Sequence, residues 1–450
     1  MNSENQLIKI ALVSLGCPKN LVDSECMMSL LKSKGFVLTD NISEANVAVI
    51  NTCGFIESAK KEAIDTILSV GDLKKPNGNI DHIVVTGCLP QRYDKDILES
   101  MPEVDAVLGT SHYKDIADVI ESFYGDRSLD NDLVSEAGGI DHLLTEREIT
   151  TTGYAYLKIG EGCRNRCSFC AIPIIRGNYV SRSLEDILEE AKSIVSRGFK
   201  EIILAAQDTT NYGIDIYGER SLTKLLKEIT KLDGLETVRI MYGYMDGMDD
   251  DLINEIKNNN KIAHYLDIPI QHGDDTVLKA MNRRDTVEQI TNVINKLRSE
   301  IPDIIIRTTV LVGFPGETQE MFDNLISNLK IWRFDRLGCF AYSPEEGTPA
   351  YDMDGQIDEK TKASRCEKVY EVQRTISEEL NKKRIGTVTK VSIESISDDG
   401  IFYKGRSYGE APEVDPEIYV AATNGELEIG KTYEVKIVDS SDYELTGVTL

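Results

Sequence analysis

Cys163, Cys167 and Cys170 form a Cys-x3-Cys-x2-Cys run within Lys158–Gly177, directly after an apolar, strand-like segment from Tyr154 to Ile159. All three thiols should therefore emerge from one loop. A structural zinc site needs four ligands in a closed tetrahedron, and no His or Cys lies between Cys170 and His264 to complete one. A [4Fe–4S] cluster can instead be held by three thiolates, which leaves one iron open to a small molecule. Gly160 and Gly162 suit a close approach of backbone donors to cluster sulfides. A zinc knuckle completed from elsewhere, or three unrelated core thiols, are the alternatives the spacing leaves open.

A second set of thiols is spread through residues 6–124. Apolar runs at Ile8–Ser14, Val47–Asn51, His82–Thr86 and Val104–Leu108 alternate with helical patterns such as Val22–Lys34, closed by Gly35, and predict a doubly wound α/β domain. Three of these strands end in Ser-Leu-Gly-Cys17, Ile-Asn-Thr-Cys53 and Val-Thr-Gly-Cys88. An open parallel sheet places the carboxyl ends of its strands on one edge, so these thiols should meet there. The alternative is that each is a small buried hydrophobe. Cys26, Cys339 and Cys366 share no such position and are assigned to packing.

Residues 125–152 are polar, without periodicity, and read as a linker. Residues 153–383 repeat a strand-and-helix unit, with strands near Tyr154–Ile159, Glu201–Ala206, Thr237–Tyr242, Ala263–Ile268, Ile304–Val312 and Arg336–Tyr342, which predicts a partial (β/α) barrel. Ser183 should cap the helix after the cysteine loop and Gly198 should end it. Gln207 and Asp208, Gln271 and His272, Gly313–Thr318 and Tyr342–Gly347 stand at strand ends, where a pocket forms. His272, one of five histidines, could serve as an acid or base, but a capping or packing role is the expectation. Residues 384–450 switch to short alternating runs separated by Gly, Asp and Asn, which predicts a small antiparallel β-barrel.

The 450 residues suffice for about three domains. Lys and Arg total 50 against 76 Asp and Glu, a formal charge of −26, which repels phosphate backbones, argues against direct nucleic-acid binding and favours a basic partner. The opening Met-Asn-Ser-Glu-Asn-Gln has no signal-peptide character, and no segment reaches the ~18 apolar residues of a membrane span. A cytoplasmic protein is expected, with no membrane partner and with nine cysteines serving metal binding or catalysis rather than disulfides.

The Cys-x3-Cys-x2-Cys loop resembles that of the radical S-adenosylmethionine (SAM) superfamily. A three-cysteine α/β domain, such a barrel and a C-terminal piece like the TRAM domain together resemble the methylthiotransferases over almost the whole chain. Leu15-Gly-Cys-Pro-Lys-Asn20 with Val22-Asp-Ser-Glu25, Ala206-Gln-Asp-Thr-Thr-Asn-Tyr-Gly213 and Tyr342-Ser-Pro-Glu-Glu-Gly-Thr348 are similar to the RimO branch. The resemblance implies two [4Fe–4S] clusters and SAM as cofactors, and methylthiolation of the β-carbon of an aspartate in the small-subunit ribosomal protein twelve, free or in its subunit. It implies that Cys163, Cys167 and Cys170 hold the cluster that reductively cleaves SAM, that Cys17, Cys53 and Cys88 hold an auxiliary cluster, and that an electron donor is a partner. Gln207, Asp208, Gln271, Leu311, Val312 and Gly313 are the candidate SAM contacts. The alternatives are a transfer-RNA methylthiotransferase acting on a modified adenosine and a non-catalytic iron–sulfur electron carrier. Glu410, Glu413, Asp415 and Glu417, together with Glu345 and Glu346, are expected to form acidic surfaces that steer a basic ribosomal protein.

Overall fold

The computed structural model describes residues 7–125, 130–143, 146–423 and 425–450. The start at residue 6 expected for the first domain, and the polar opening of the chain, lie outside the described residues. The expected strands recur with ends shifted by no more than two residues.

The first sheet is parallel throughout and runs in the order β2 (Val37–Leu38), β1 (Lys9–Ser14), β3 (Val47–Thr52), β4 (His82–Gly87), β5 (Ala106–Leu108), β6 (Asp132–Leu133). β3 is buried along its whole length, so its apolar run without alternation suits a strand covered on both faces. Helices α1 (Pro18–Ser33) and α4 (Ile116–Tyr124) cover one face around Met27, Leu31, Val49 and Ile120. Helices α2 (Glu57–Gly71) and α3 (Pro90–Ser100) cover the other around Ile50, Ile67, Val85 and Ile97. Strand order reverses about β1 and β3, the switch point where open α/β sheets bind ligands. Helix α1 begins at Pro18 rather than at Val22, because proline suits the first helical position and Cys17 can serve as the N-cap.

The stretch expected as a linker does more than connect. It supplies β6 to the edge of this sheet, and its buried His142 and Arg147 pair with acids on both neighbouring domains, Asp23, Glu25 and Glu190. Isolated charged residues that find buried partners far away leave no periodic trace in a sequence.

The second sheet is parallel and runs in chain order: β7 (Tyr154–Lys158), β10 (Glu201–Ala205), β11 (Thr237–Ile240), β12 (Ile262–Asp267), β13 (Ile305–Val312) and β14 (Arg336–Ala341). A short antiparallel pair, β8 (Gly160–Glu161) and β9 (Val180–Ser181), brackets the cysteine loop and helix α5 (Ile172–Arg176). Helix α6 (Leu184–Ser196) starts with the Ser183 hydroxyl accepting from the Asp186 amide, and it buries Ile187, Ala191 and Ile194. Together with α7 (Leu222–Ile229), α8 (Asp250–Asn258), α9 (Asp275–Ala280), α10 (Val287–Glu300) and α11 (Gln319–Trp332) it alternates with the strands. The barrel is open, and the long helix α12 (Glu359–Arg384) packs on β14. Its interior is filled by Tyr156, Ile203, Met241 and Tyr265, joined by Val22 and Cys26 of α1. The first domain thus contributes core to the second.

The last segment closes as a five-stranded barrel of β15 (Val388–Ile396), β16 (Tyr403–Arg406), β17 (Ile418–Ala421), β18 (Thr432–Ser440) and β19 (Leu445–Thr449) around Val391, Ile393, Val420 and Val435. One pair departs from the expected antiparallel arrangement: β17 and β19 run parallel, because β18 intervenes in the chain and pairs on the other side of β19.

Candidate active site

Cys17, Cys53 and Cys88 follow β1, β3 and β4, which are neighbours in the sheet. Glycines let the three turns crowd together. Gly16 and Gly87 have φ of +92° and +102°, and a Cβ on Gly87 would lie 2.4 Å from Asn51 Oδ1 and 2.5 Å from the Thr52 carbonyl oxygen. A Cβ on Gly54 would lie 2.8 Å from the Cys88 carbonyl oxygen. Burial raises the Cys17 thiol, yet Lys19, the Asn20 amide and Arg176 outweigh it and hold Cys17 below its ordinary value. Burial, with the neighbouring Cys88 and Cys17, pushes Cys53 up to about 12. Cys88 is also raised, burial outweighing the adjacent Arg176.

The other three thiols sit on a loop tied down from several sides. The Cys163 amide donates to the Gly177 carbonyl (3.2 Å), and the Ser168 amide and hydroxyl donate to the carbonyls of Met281 (3.0 Å) and Ala280 (2.8 Å). Asn165 Nδ2 donates to Asp208 Oδ2 at 2.7 Å and Asn282 Nδ2 to the Arg166 carbonyl at 2.6 Å. Burial raises Cys163 to about 11, with Asp208 adding to it, and burial also raises Cys170.

Both triads line one cavity of about 310 Å³, between the carboxyl edge of the first sheet and the mouth of the barrel. The described residues that line it include no His, and its cysteines divide into three from the first sheet's edge and three from the barrel loop. Three thiols facing a cavity are the donor set that a [4Fe–4S] cluster with a free iron requires, and none of these cysteines falls, among the described residues, in a group close enough to hold a single ion.

Gln207, Asp208 and Gln271 reach this cavity, whereas Leu311, Val312 and Gly313 do not. Gln207 donates to Glu161, and its Oε1 is buried without a partner, an acceptor left for a ligand. Asp208 is occupied: it accepts from Asn165, Thr210 and Asn211 and so positions the cysteine loop, with burial raising its carboxyl. Gln271 adopts φ +68°, as the neighbouring Tyr242 does at +59°, and such left-handed side-chain-bearing residues gather at functional sites. Gln271 also explains the misplaced strand end. Its carbonyl accepts from the Leu311 amide at 2.7 Å, so this segment screens β13 from the cavity, while Gly313 packs under Lys362. His272 is fully buried, accepts from the Asp274 amide at 3.1 Å and lies outside the cavity, while the cap of α9 is Asp274 itself.

Between the triads runs a buried ion network that sequence reasoning missed. Arg176, at the end of α5, donates to Asp23 Oδ2 (2.7 Å), Glu161 Oε2 (2.9 Å), Asn20 Oδ1 and Cys88 Sγ (3.3 Å). Lys158 pairs with the same two carboxylates, and His142 reaches Asp23 at 2.8 Å. Although burial raises Asp23, Lys158, Arg176 and His142 hold its carboxyl well below the usual range. Asp23, His142 and Glu161 converge closely enough to hold a metal, but the ammonium and guanidinium among them already supply the positive charge. Asp23, Asn20 and Lys19 stand inside the motif around Cys17, the one signal that could have drawn attention to them.

The acids expected to form steering surfaces divide: Glu413 and Glu346 are exposed and Glu417 is half-buried, whereas Glu410, Asp415 and Glu345 are taken up in internal pairings. Glu410 is 1 % exposed and pairs with Arg384 and with Arg336 (3.4 Å), fastening the C-terminal barrel to the core. Asp415 accepts from the Tyr265 hydroxyl at 2.6 Å. Glu345 is buried and pairs with Arg92 (2.8 Å) and Lys60 (3.2 Å) of the first domain. A run of acids in one dimension cannot reveal that arginines from other domains neutralise it.

Residues 9–109 match the uncharacterized protein family UPF0004, residues 157–329 the radical SAM superfamily and residues 385–450 the TRAM domain. The chain is 48% identical over 445 residues to the ribosomal protein uS12 methylthiotransferase RimO of Acetivibrio thermocellus, covering 98% of each. It is 47% identical to that of Clostridioides difficile, covering 99% of each, and 45% identical to that of Geobacter sulfurreducens, covering 98% of each. Among solved structures it resembles the radical SAM methyltransferase TsrM of Kitasatospora setae with cobalamin and a [4Fe-4S] cluster bound, at TM-score 0.57 and 13% identity, covering 86% of this chain and 81% of that one. That likeness concerns the fold. Similarity of this extent along the full length, with the family's radical SAM and TRAM modules in place, means that the chain belongs to the RimO family of ribosomal protein uS12 methylthiotransferases.

Proposed function

We propose that this protein methylthiolates the β-carbon of an aspartate in ribosomal protein uS12, using SAM and two [4Fe–4S] clusters. The observation that carries the reading is that six thiols from two domains line one cavity. Cys163, Cys167 and Cys170 would hold the cluster that takes SAM, and Cys17, Cys53 and Cys88 the auxiliary one. When bound, these groups supply the one-electron chemistry that breaks an unactivated C–H bond, beyond the reach of acid–base side chains. The chain's own residues do the rest. Gln207 and Gln271 present polar atoms to SAM, Asp208 holds the cysteine loop through Asn165, and the Arg176 network keeps the two triads in register. Aromatic walls from Phe55, Phe169 and Tyr244 limit water around the reacting carbon.

An electron donor completes the cycle, and the protein works in the cytoplasm with its ribosomal substrate. Among the described residues no helix is long and apolar enough to cross a membrane. An electron carrier has no need for a shared cavity between two open triads, and the relatives named above, at 45–48% identity over nearly the full length, are uS12 methylthiotransferases. The test is mass spectrometry of uS12 from a strain lacking this gene. Loss of a methylthio group, restored by the wild-type gene, supports the reading; an unchanged uS12 mass sinks it.

A further inference from the structure

Among the described residues, the shared cavity contains one positive charge with no carboxylate at ion-pair distance, Asp267 acting on it only from farther away. Arg176 is committed to Asp23 and Glu161, and Arg283 to Asp285 at 2.8 Å. Asp208, the acid among the described lining residues, is occupied by Asn165, Thr210 and Asn211. Lys19 differs. It lies in the first turn of α1, two residues after Cys17, is 9 % exposed, and has no carboxylate within ion-pair distance among the described residues. Its Nζ sits 3.3 Å from the centroid of the Tyr242 ring, and beyond the through-space attraction to Cys17 and Asp267 that contact leaves it able to pair with an incoming carboxylate. Tyr242 is itself held at φ +59°, with its amide donating to Asp267 Oδ2 at 3.3 Å, so the platform under the ammonium is fixed.

A buried ammonium with spare donors is costly unless an anion joins it, and its charge then selects that anion strongly. We propose that Lys19 is a specificity-determining residue that receives the side-chain carboxylate of the substrate aspartate, thereby holding the β-carbon between the two thiol triads. The inference rests on the functional reading above and deepens it. An aspartate carboxylate is bonded directly to the β-carbon, so anchoring the one positions the other, and an amide or a nucleobase in its place would leave the ammonium unpaired. SAM also carries a carboxylate. Lys19 lies two residues from Cys17 and acts on that thiol, whereas SAM belongs to the triad of the cysteine loop, which favours the substrate as the source.

The experiment measures binding of cluster-loaded enzyme, without SAM, to uS12 and to uS12 whose modified aspartate is changed to asparagine. Wild-type enzyme should bind the asparagine form about tenfold more weakly, equivalent to about 1.4 kcal/mol. Lys19→Met should bind both forms within about twofold of each other, Lys19→Arg should restore the preference, and the SAM affinity of Lys19→Met should stay within about twofold of wild type. Equal binding of the two uS12 forms by wild-type enzyme overturns the proposal, and this arm needs no enzyme variant to fold or load iron. So does an undiminished preference in Lys19→Met, and a tenfold loss of SAM affinity with the preference intact assigns the ammonium to SAM instead. If wild-type enzyme binds neither uS12 form, the functional reading falls together with the inference.

Discussion

Replacing Arg176 by Gln tests whether the buried network sets the relation between the two triads. The guanidinium contributes charge-assisted bonds to Asp23 (2.7 Å) and Glu161 (2.9 Å) and the contact to Cys88 Sγ (3.3 Å), all in a region closed to water. Removing one partner of a buried ion pair costs about 3–5 kcal/mol, because the other charge is left uncompensated. Lys158 still serves both carboxylates, so the lower end, about 3 kcal/mol, applies here. The loss falls mainly on the contact between the first domain and the barrel, since Asp23 and Cys88 belong to the former and Glu161 to the latter, while Arg176 meets the first core at the Tyr113 ring, 5.8 Å from its guanidinium. Amides in the first turn of α1 and in the turn after β4 should therefore exchange with deuterium roughly a hundredfold faster, while those of β11 and β12 keep their rates. Arg176→Lys, which retains the charge, should fall between Gln and wild type. Exchange at α1 altered by less than about threefold in Arg176→Gln would refute the reasoning, because the network would then carry no interdomain free energy.

Gly87→Ala should destabilise the turn that carries Cys88 by at least about 2 kcal/mol, from its left-handed φ and the collision with Asn51 and Thr52; thermal melting and auxiliary iron content read it. The C-terminal barrel should loosen in acid. Glu201 and Glu410 are each held down to about 2, the arginines beside them outweighing a burial effect that acts upward. A carboxyl depressed in the folded state adds stability that is complete above its unfolded value near 4.3 and is lost as pH falls from there towards about 2, at about 1.4 kcal/mol for each pH unit between the two values. Proteolysis between α12 and β15 across that window reports the loss, and Glu410→Gln should bring it on at neutral pH. Cys26, Cys339 and Cys366, each changed to Ala, should cost about 1–3 kcal/mol and no iron; Cys26 and Cys339 are buried, and Cys339 neighbours Cys366. Iron loss in any of the three variants would make that thiol a ligand.

Much of this protein was legible along the chain because the signals are local. Apolar runs alternating with period-3.6 stretches mark β1, β3, β4 and the six barrel strands, Ser183 marks the start of α6, and three thiols within eight residues must share a loop whatever the fold. A thiol at the carboxyl end of each of three parallel strands also implies a common edge, because a parallel sheet has only one. What the chain could not disclose depends on which elements lie side by side. That β1, β3 and β4 are adjacent, that both thiol sets face one cavity and that α1 completes the barrel core follow from packing between domains. Charge behaved in the same way. Glu410 and Glu345 read as an acidic surface and are buried partners of Arg384 and Arg92, while Lys19, one basic residue among fifty, becomes distinctive only because, among the described residues, the fold brings no carboxylate to ion-pair distance from it. A side chain's pairing is set by neighbours in space, and no spacing rule along the sequence encodes it.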